Sequence, residues 1–172
     1  MIRVLIPAFL MLAACGQPAT STPTVAATPG YDFPALTGRV VDRADILPAV
    51  DEARIVAKAE ALDRATGHQV VVVTIPSLGG HAIEDYSLAL GNSWGIGRKR
   101  ANDGVLLVVA PTERKVRIEV GKGLEATLTN AEAQRIIDAD ILPAFRSGDF
   151  IRGIDGGVDG VIRDVDPAGG GA

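Results

Sequence analysis

Asn102 to Thr129 reads NDGVLLVVAPTERKVRIEVGKGLEATLT, and its patterning decides the fold. Gly104 to Ala110 (GVLLVVA) is an unbroken apolar run, the mark of a strand buried on both faces. Lys115 to Val120 (KVRIEV) alternates polar and apolar, the mark of a strand with one wet face. Pro111 to Arg114 is too short a connection for anything but an antiparallel hairpin. Pairing then sets the start of the first strand beside the end of the second. Asp103 is thereby expected near Glu119 and Lys122, with Glu125 next along the loop.

Outward from the hairpin, helical and extended patterns alternate. Pro48 to Thr66 predicts a helix with Val50, Ala53, Ala57, Ala61 and Leu62 as its apolar stripe and Gly67 as its end. Gln69 to Ile75 (QVVVVTI) predicts a central strand, and Ile83 to Asn92 a second helix with Glu84 and Asp85 favourably placed in its first turn. Thr129 and Glu132 form a capping box that opens a third helix running to about Phe145. Asp149 can cap a fourth, in which Gly153, Gly156, Gly157 and Gly160 would permit close packing on the sheet. The order helix, strand, helix, strand, strand, helix, helix predicts one layered α/β/α domain: a small mixed sheet, helices packed on it and one β-hairpin. A strand, a helix and a second strand of the same sheet normally make a right-handed parallel crossover. That places the start of the Gln69 strand, and with it His68, at the Asp103 end.

The N-terminal segment has a different character. Arg3 precedes the uncharged, mostly apolar run Val4 to Ala14, and Leu12-Ala13-Ala14-Cys15 follows the pattern of a bacterial lipobox. The run is shorter than the roughly 20 residues that span a bilayer. Residues 1–14 are therefore expected to be a lipoprotein signal peptide and Cys15, the only cysteine of the chain, the lipidated residue. Export through the inner membrane and lipid anchoring in the cell envelope follow; Gly16 after the cysteine fits sorting to the periplasmic face of an outer membrane. Gln17 to Gly30 (QPATSTPTVAATPG) is too poor in large apolar residues to offset its ordering entropy. Residues 15–31 are expected to tether a domain at 32–164, held about 20 Å from the membrane, with 165–172 a flexible tail. That domain is long enough for one core and not for two. The net charge of −4 argues against nucleic acid as a partner and gives no support to a basic lipid-binding patch.

Familiar catalytic motifs fail on context. Gly91-Asn92-Ser93-Trp94-Gly95 has the letters of a nucleophile elbow, but a helix precedes it and both histidines, His68 and His81, lie upstream. Gly121-Lys122-Gly123 lacks the longer glycine-rich span and the Ser or Thr of a phosphate loop. Asp138 and Asp140 sit inside the third helix, where their side chains diverge, and two histidines with one cysteine make a poor zinc set. No catalytic residue is assigned on this basis, and no organic cofactor is expected. Oxygen ligands are better supplied: Asp103, Glu119, Glu125 and Asp42 offer the carboxylates that a hard cation, Ca2+ or Mg2+, prefers. Each also has a bland explanation, Asn102-Asp103-Gly104 as a turn, Glu119 as a wet-face residue and Asp42 as a local cap. Arg98 and Lys122 are candidate anion-binding residues on the same rim, Arg98 within the basic run Arg98-Lys99-Arg100.

Five blocks fall in an order that resembles a known family: VVDRADIL (Val40 to Leu47), TGHQVVVVTIPSLGG (Thr66 to Gly80), WGIGRKRANDG (Trp94 to Gly104), the hairpin, and ILPAFRSGDFIRGI (Ile141 to Ile154). Together, from about Phe33 to about Arg163, they are similar to the TPM domain. The resemblance implies an α/β fold and, in some members, calcium or another divalent ion held by loops at one end of the sheet. It implies two kinds of function: a non-catalytic module that assists a membrane protein complex, here an envelope partner, or a weak metal-assisted acid phosphatase. In the second, Asp103 would hold the ion or activate water, and Arg98 or Lys122 would stabilise the developing charge. A calcium-responsive sensor without turnover would use the same residues.

Overall fold

The computed structural model describes residues 30–166. The expected leader, Cys15 and most of the tether lie outside the described residues, as do 167–172. Three strands fall where the pattern puts them: β2 (Gln69–Thr74), β3 (Gly104–Ala110) and β4 (Lys115–Val120). A further strand, β1 (Val40–Asp42), adds to the free side of β2; three residues are too few to show a period, so the sequence pattern does not reveal it. The sheet order is β1-β2-β3-β4, parallel except for the β3–β4 hairpin.

Two cores flank the sheet. Val40, Val70, Val72, Val105 and Leu107 face α1 (Ala49–Thr66) and the C-terminal helices α3 (Asn130–Ile136), α4 (Leu142–Arg146) and α5 (Phe150–Val165). Val41, Val71, Val73, Leu106 and Val108 face α2 (Ile83–Trp94). Alternate residues of one strand thus enter different cores, which is why β3 is apolar throughout: all seven of its residues are buried. Each fully buried Val or Leu is worth roughly 1.5–3 kcal/mol. Among the described residues, no helix is long and apolar enough to cross a membrane.

The connections depart from expectation in one respect. β1 to β2 and β2 to β3 each step one place in the same direction across the sheet, yet α1 lies on one face and α2 on the other. Two such crossovers have opposite hands, so one of them breaks the right-handed rule. The parallel pairing holds, and His68 does reach Asp103.

Three local expectations are corrected. In α1 the buried residues are Ile55, Ala59 and Leu62, whereas Ala53, Ala57 and Ala61 are exposed and Val50 is 74 % exposed. The larger Ile and Leu bury more apolar area than a row of alanines, and they set the helix's rotation. The third helix opens on the expected capping box, with Glu132 N–H donating to Thr129 Oγ1 (3.3 Å) and Thr129 N–H to Glu132 Oε2 (2.7 Å). It is not continuous, however: a π-helical turn at Ile137–Ile141 joins α3 to α4, where Pro143 lacks the N–H that an uninterrupted helix needs. Finally, the glycines of α5 chiefly admit this turn and α4 rather than the sheet. A Cβ on Gly153 would lie 2.5 Å from the Phe145 ring, and one on Gly157 2.6 Å from Ile141. α5 is capped by Asp149, which accepts from Arg152 N–H at 3.0 Å, and it runs to Val165, taking in the first residue of the expected tail.

Candidate functional site

The sheet has two ends of different construction. At the amino ends of β2 and β3, Asp103 is only 2 % exposed. Its Oδ1 accepts the Arg98 N–H at 2.8 Å, and its Oδ2 accepts Arg98 Nε at 2.7 Å and also Arg98 Nη2. His68 Nδ1 lies 3.3 Å from the same Oδ2. Burial pushes the Asp103 carboxyl up, but the side-chain and backbone hydrogen bonds of Arg98, together with His68, outweigh it and hold the group well below the usual carboxylate range. The guanidinium is seated over Gly67, whose missing side chain leaves the room: a Cβ there would stand 2.7 Å from Arg98 Nη1.

Glycine makes the rest of this end possible. A Cβ on Gly121 would lie 2.2 Å from the Asn102 carbonyl oxygen, and one on Gly123 1.9 Å from that of Ala101. The loop after β4 therefore rests backbone to backbone on the loop that follows α2. Gly121 N–H donates to the Gly104 carbonyl (2.8 Å) and Gly123 N–H to that of Asn102 (3.0 Å). The residues that looked like a phosphate loop are spacers in a backbone interlock.

The expected ligand set is divided by this arrangement. Glu119, Lys122 and Glu125 do line one small pocket of about 160 Å3, between α2 and the loop after β4. Asp103 is not among its lining residues; its carboxylate is held by Arg98, which is likewise absent from the lining that Lys122 joins. Glu119 is paired with Arg117 Nε at 2.8 Å and accepts from Ser87 Oγ at 2.9 Å. Asp42 lies at the far end of the sheet, in register with Thr74 and, through it, Val109. At about 3.3 Å per residue it is about 20 Å from Asp103 along the strand direction. Its oxygens accept from the Thr74 hydroxyl and from Leu47 N–H (2.8 Å), so Asp42 ties the loop after β1 to the next strand, while α1 starts at Ala49 with no side-chain cap. Among the described residues, no group of three or more His, Cys, Asp or Glu is placed to hold a metal ion. Asp138 and Asp140 diverge as expected, Asp138 toward Gln134 and Asp140 toward Arg163. Ser93 is inside α2 with its Oγ buried and without a hydrogen-bond partner, and Trp94 anchors the helix end by donating Nε1–H to the Pro34 carbonyl at 3.0 Å.

The carboxyl ends of β1 and β2 carry the larger opening, a crevice of about 850 Å3. Val41 and Asp42 come to it from β1, Arg43 from the bend after it, Ile75 to Gly79 from the loop after β2, Glu52 from α1 and Tyr86 from α2. The chain ahead of β1 forms a strap over one wall. Tyr31 stacks on His81 with ring centroids 4.3 Å apart and on Phe33 at 5.0 Å, and Phe33 meets Tyr86 edge-on at 5.2 Å. His81 Nε2 is 2.9 Å from the Gly30 carbonyl oxygen. Glu113, in the hairpin turn and not itself a lining residue, accepts from Ser77 Oγ (2.8 Å) and Leu78 N–H (2.9 Å) of the lining loop. Those bonds, the one from Leu78 first, hold its carboxyl below the usual range.

A family model for the TPM domain matches residues 40–164. This chain belongs to the TPM domain family. Solved structures agree: the N-terminal domain of a P. gingivalis protein is 36 % identical with a TM-score of 0.72, covering 77 % of this chain and 84 % of that one. The N-terminal domain of a Corynebacterium glutamicum protein is similar in fold at 18 % identity and a TM-score of 0.62, over 88 % of this chain and 94 % of its own. A protein of the psychrophilic bacterium Bizionia argentinensis is similar in fold at 19 % identity and 0.63, over 72 % and 83 %. No protein of curated function matches the chain.

Within this TPM domain, the blocks that carried the resemblance now have separate tasks. Trp94 to Gly104 and Gly121 to Leu124 build the interlock around Asp103, whereas Val40 to Arg43 and Ile75 to Gly79 line the crevice. Sequence reasoning missed the Arg98–Asp103 pair as a closed unit, the Arg117–Glu119–Ser87 cluster, and the crevice. A signal for the first was present: Arg98 stands five residues before Asp103 in a glycine-bounded loop, a spacing at which an arginine can fold back on an aspartate.

Proposed function

We propose that this chain is an envelope lipoprotein, anchored through lipid on Cys15 at the periplasmic face of the outer membrane, whose TPM domain acts as a non-catalytic interaction and assembly module for an envelope protein. The observation that carries the reading is the state of Asp103. A catalytic or ion-holding carboxylate needs free lone pairs, and those of Asp103 are taken by the Arg98 N–H, the Arg98 guanidinium and His68. The invested structure at that end, an interlock closed by glycines, serves rigidity, and rigid presentation is what a docking module requires. Affinity capture from solubilised envelopes is the test: a reproducible partner is expected, and its absence across independent preparations would remove the reading.

The alternative, a weak metal-assisted acid phosphatase supported by the family resemblance, would need Asp103 to release Arg98 before it could hold Ca2+ or Mg2+ or activate water. Hydrolysis of p-nitrophenyl phosphate by the wild-type chain and by Asp103→Ala, each with calcium or magnesium, separates the two. Equal rates are expected under the module reading. A metal-dependent rate in the wild type that Asp103→Ala abolishes while still folded would establish the phosphatase.

A further inference from the structure

We propose that the crevice between the carboxyl ends of β1 and β2 is the docking site for a lysine or arginine side chain of the partner; this rests on the interaction-module reading and names the chemistry that such a module would take. The position comes from topology. Leaving β1 the chain turns to α1 on one face, and leaving β2 it turns to α2 on the other. The two loops diverge, and the gap between them is the place where an open α/β sheet offers a binding crevice. About 850 Å3 is within the range of sites that enclose a ligand of many atoms and far larger than a bare ion needs.

Charge then selects the occupant. Asp32, Asp42 and Glu52 line the crevice, against Arg43 as the only arginine or lysine. At the other end of the sheet Asp103, Glu119 and Asp63 each have an arginine partner. None of Asp32, Asp42 and Glu52 forms an ion pair among the described residues, and Asp42 receives hydrogen bonds only from Thr74 and Leu47. An anionic ligand would meet this excess of carboxylates unfavourably. A cation gains from it.

The walls distinguish an organic cation from a metal ion. No three acidic or histidine side chains converge to coordinate an ion. The strap side instead presents the aromatic rings of Phe33 and Tyr86, a surface suited to the methylene stem and the delocalised charge of a basic side chain. Burial first, and then the charge of Asp32, push the Tyr86 phenol up to about 12, so that wall stays neutral. His81 is stacked on Tyr31 with Nε2 turned to the Gly30 carbonyl, and Asp32, Asp42 and Glu52 supply the acidic recognition groups.

The experiment is an NMR titration of the full chain with N-acetyl-arginine amide, with N-acetyl-glutamine amide as the uncharged control. Saturable shifts are expected at Val41, Ser77 and Tyr86 and not at Gly97 or Gly121. Asp32→Asn and Glu52→Gln change side chains that hold no other side chain, and each should weaken binding by about two- to fivefold. No saturable shift, equal shifts from the control, or calcium chloride alone saturating the same resonances would each overturn the proposal. Affinity capture with wild type and with the Asp32→Asn/Glu52→Gln double variant separates this failure from that of the module. A partner held equally by both leaves the module standing and overturns docking at the crevice. No partner on either overturns the module and the docking together.

Discussion

The two ends of this one sheet hold similar side chains and do opposite things with them. At the amino end three acids each have a base: Asp103 meets Arg98, Glu119 meets Arg117 and Asp63 meets Arg39, beside loops whose glycines let the backbones touch. At the carboxyl end Asp32, Asp42 and Glu52 face an opening without such partners. A carboxylate that is neutralised and buried contributes to the fold; one left beside space is available to something else. Motif letters do not distinguish the two cases, because Asp103 and Asp42 both look like ligands in the sequence.

The comparison can be broken most severely at the interlock. Gly123→Ala would place a methyl 1.9 Å from the Ala101 oxygen; with backbone on the other side of the clash, a loss of about 3 kcal/mol or more, or failure to fold, is expected in urea unfolding. Next comes Asp103→Ala, which leaves the Arg98 N–H and guanidinium without their acceptor; about 3 kcal/mol is expected by the same measurement.

The acid range sharpens the contrast. Because the folded Asp103 carboxyl titrates below its unfolded value, its contribution is complete above about pH 4 and drains away as pH falls further. Asp103→Asn should flatten the dependence of unfolding free energy on pH below that point. The smallest effects belong to the open end: Asp32→Asn and Glu52→Gln should each alter stability by no more than about 0.5 kcal/mol. A larger loss from either would mean that the crevice acids are structural after all, and the distinction between the ends would fall.

Legibility followed length and locality. The hairpin, the capping box at Thr129 and the Asp149 cap could be read because each signal lies within a few residues and repeats a known local geometry. The layered fold followed from the order of the elements. β1 could not be read, since its stability comes from β2 and its loops rather than from its own three residues. The rotation of α1 was misread because alanines count as apolar in a pattern but bury little area beside Ile55 and Leu62. The division of the candidate rim was illegible for a different reason: nearness in a hairpin fixes which backbones are adjacent, not which way a carboxylate points, and Arg98 holds Asp103 apart from Glu119 and Glu125. The crevice is a property of two connections leaving on opposite faces, and no single stretch of sequence carries that information.

Glu113 gives the hairpin a second office. The base of the hairpin is fixed by the glycine interlock, and its tip, at the opposite end of the sheet, grips Ser77 and Leu78. The hairpin is therefore a strut spanning the domain, and the loop after β2 cannot splay outward without detaching from it. On the docking proposal, a basic side chain arriving at the crevice would meet a rim already held in place, so little ordering entropy would be lost on association. Cutting the strut with Glu113→Ala, remote from any ligand contact, would loosen that rim and show itself as faster amide exchange at Leu78 and Gly79.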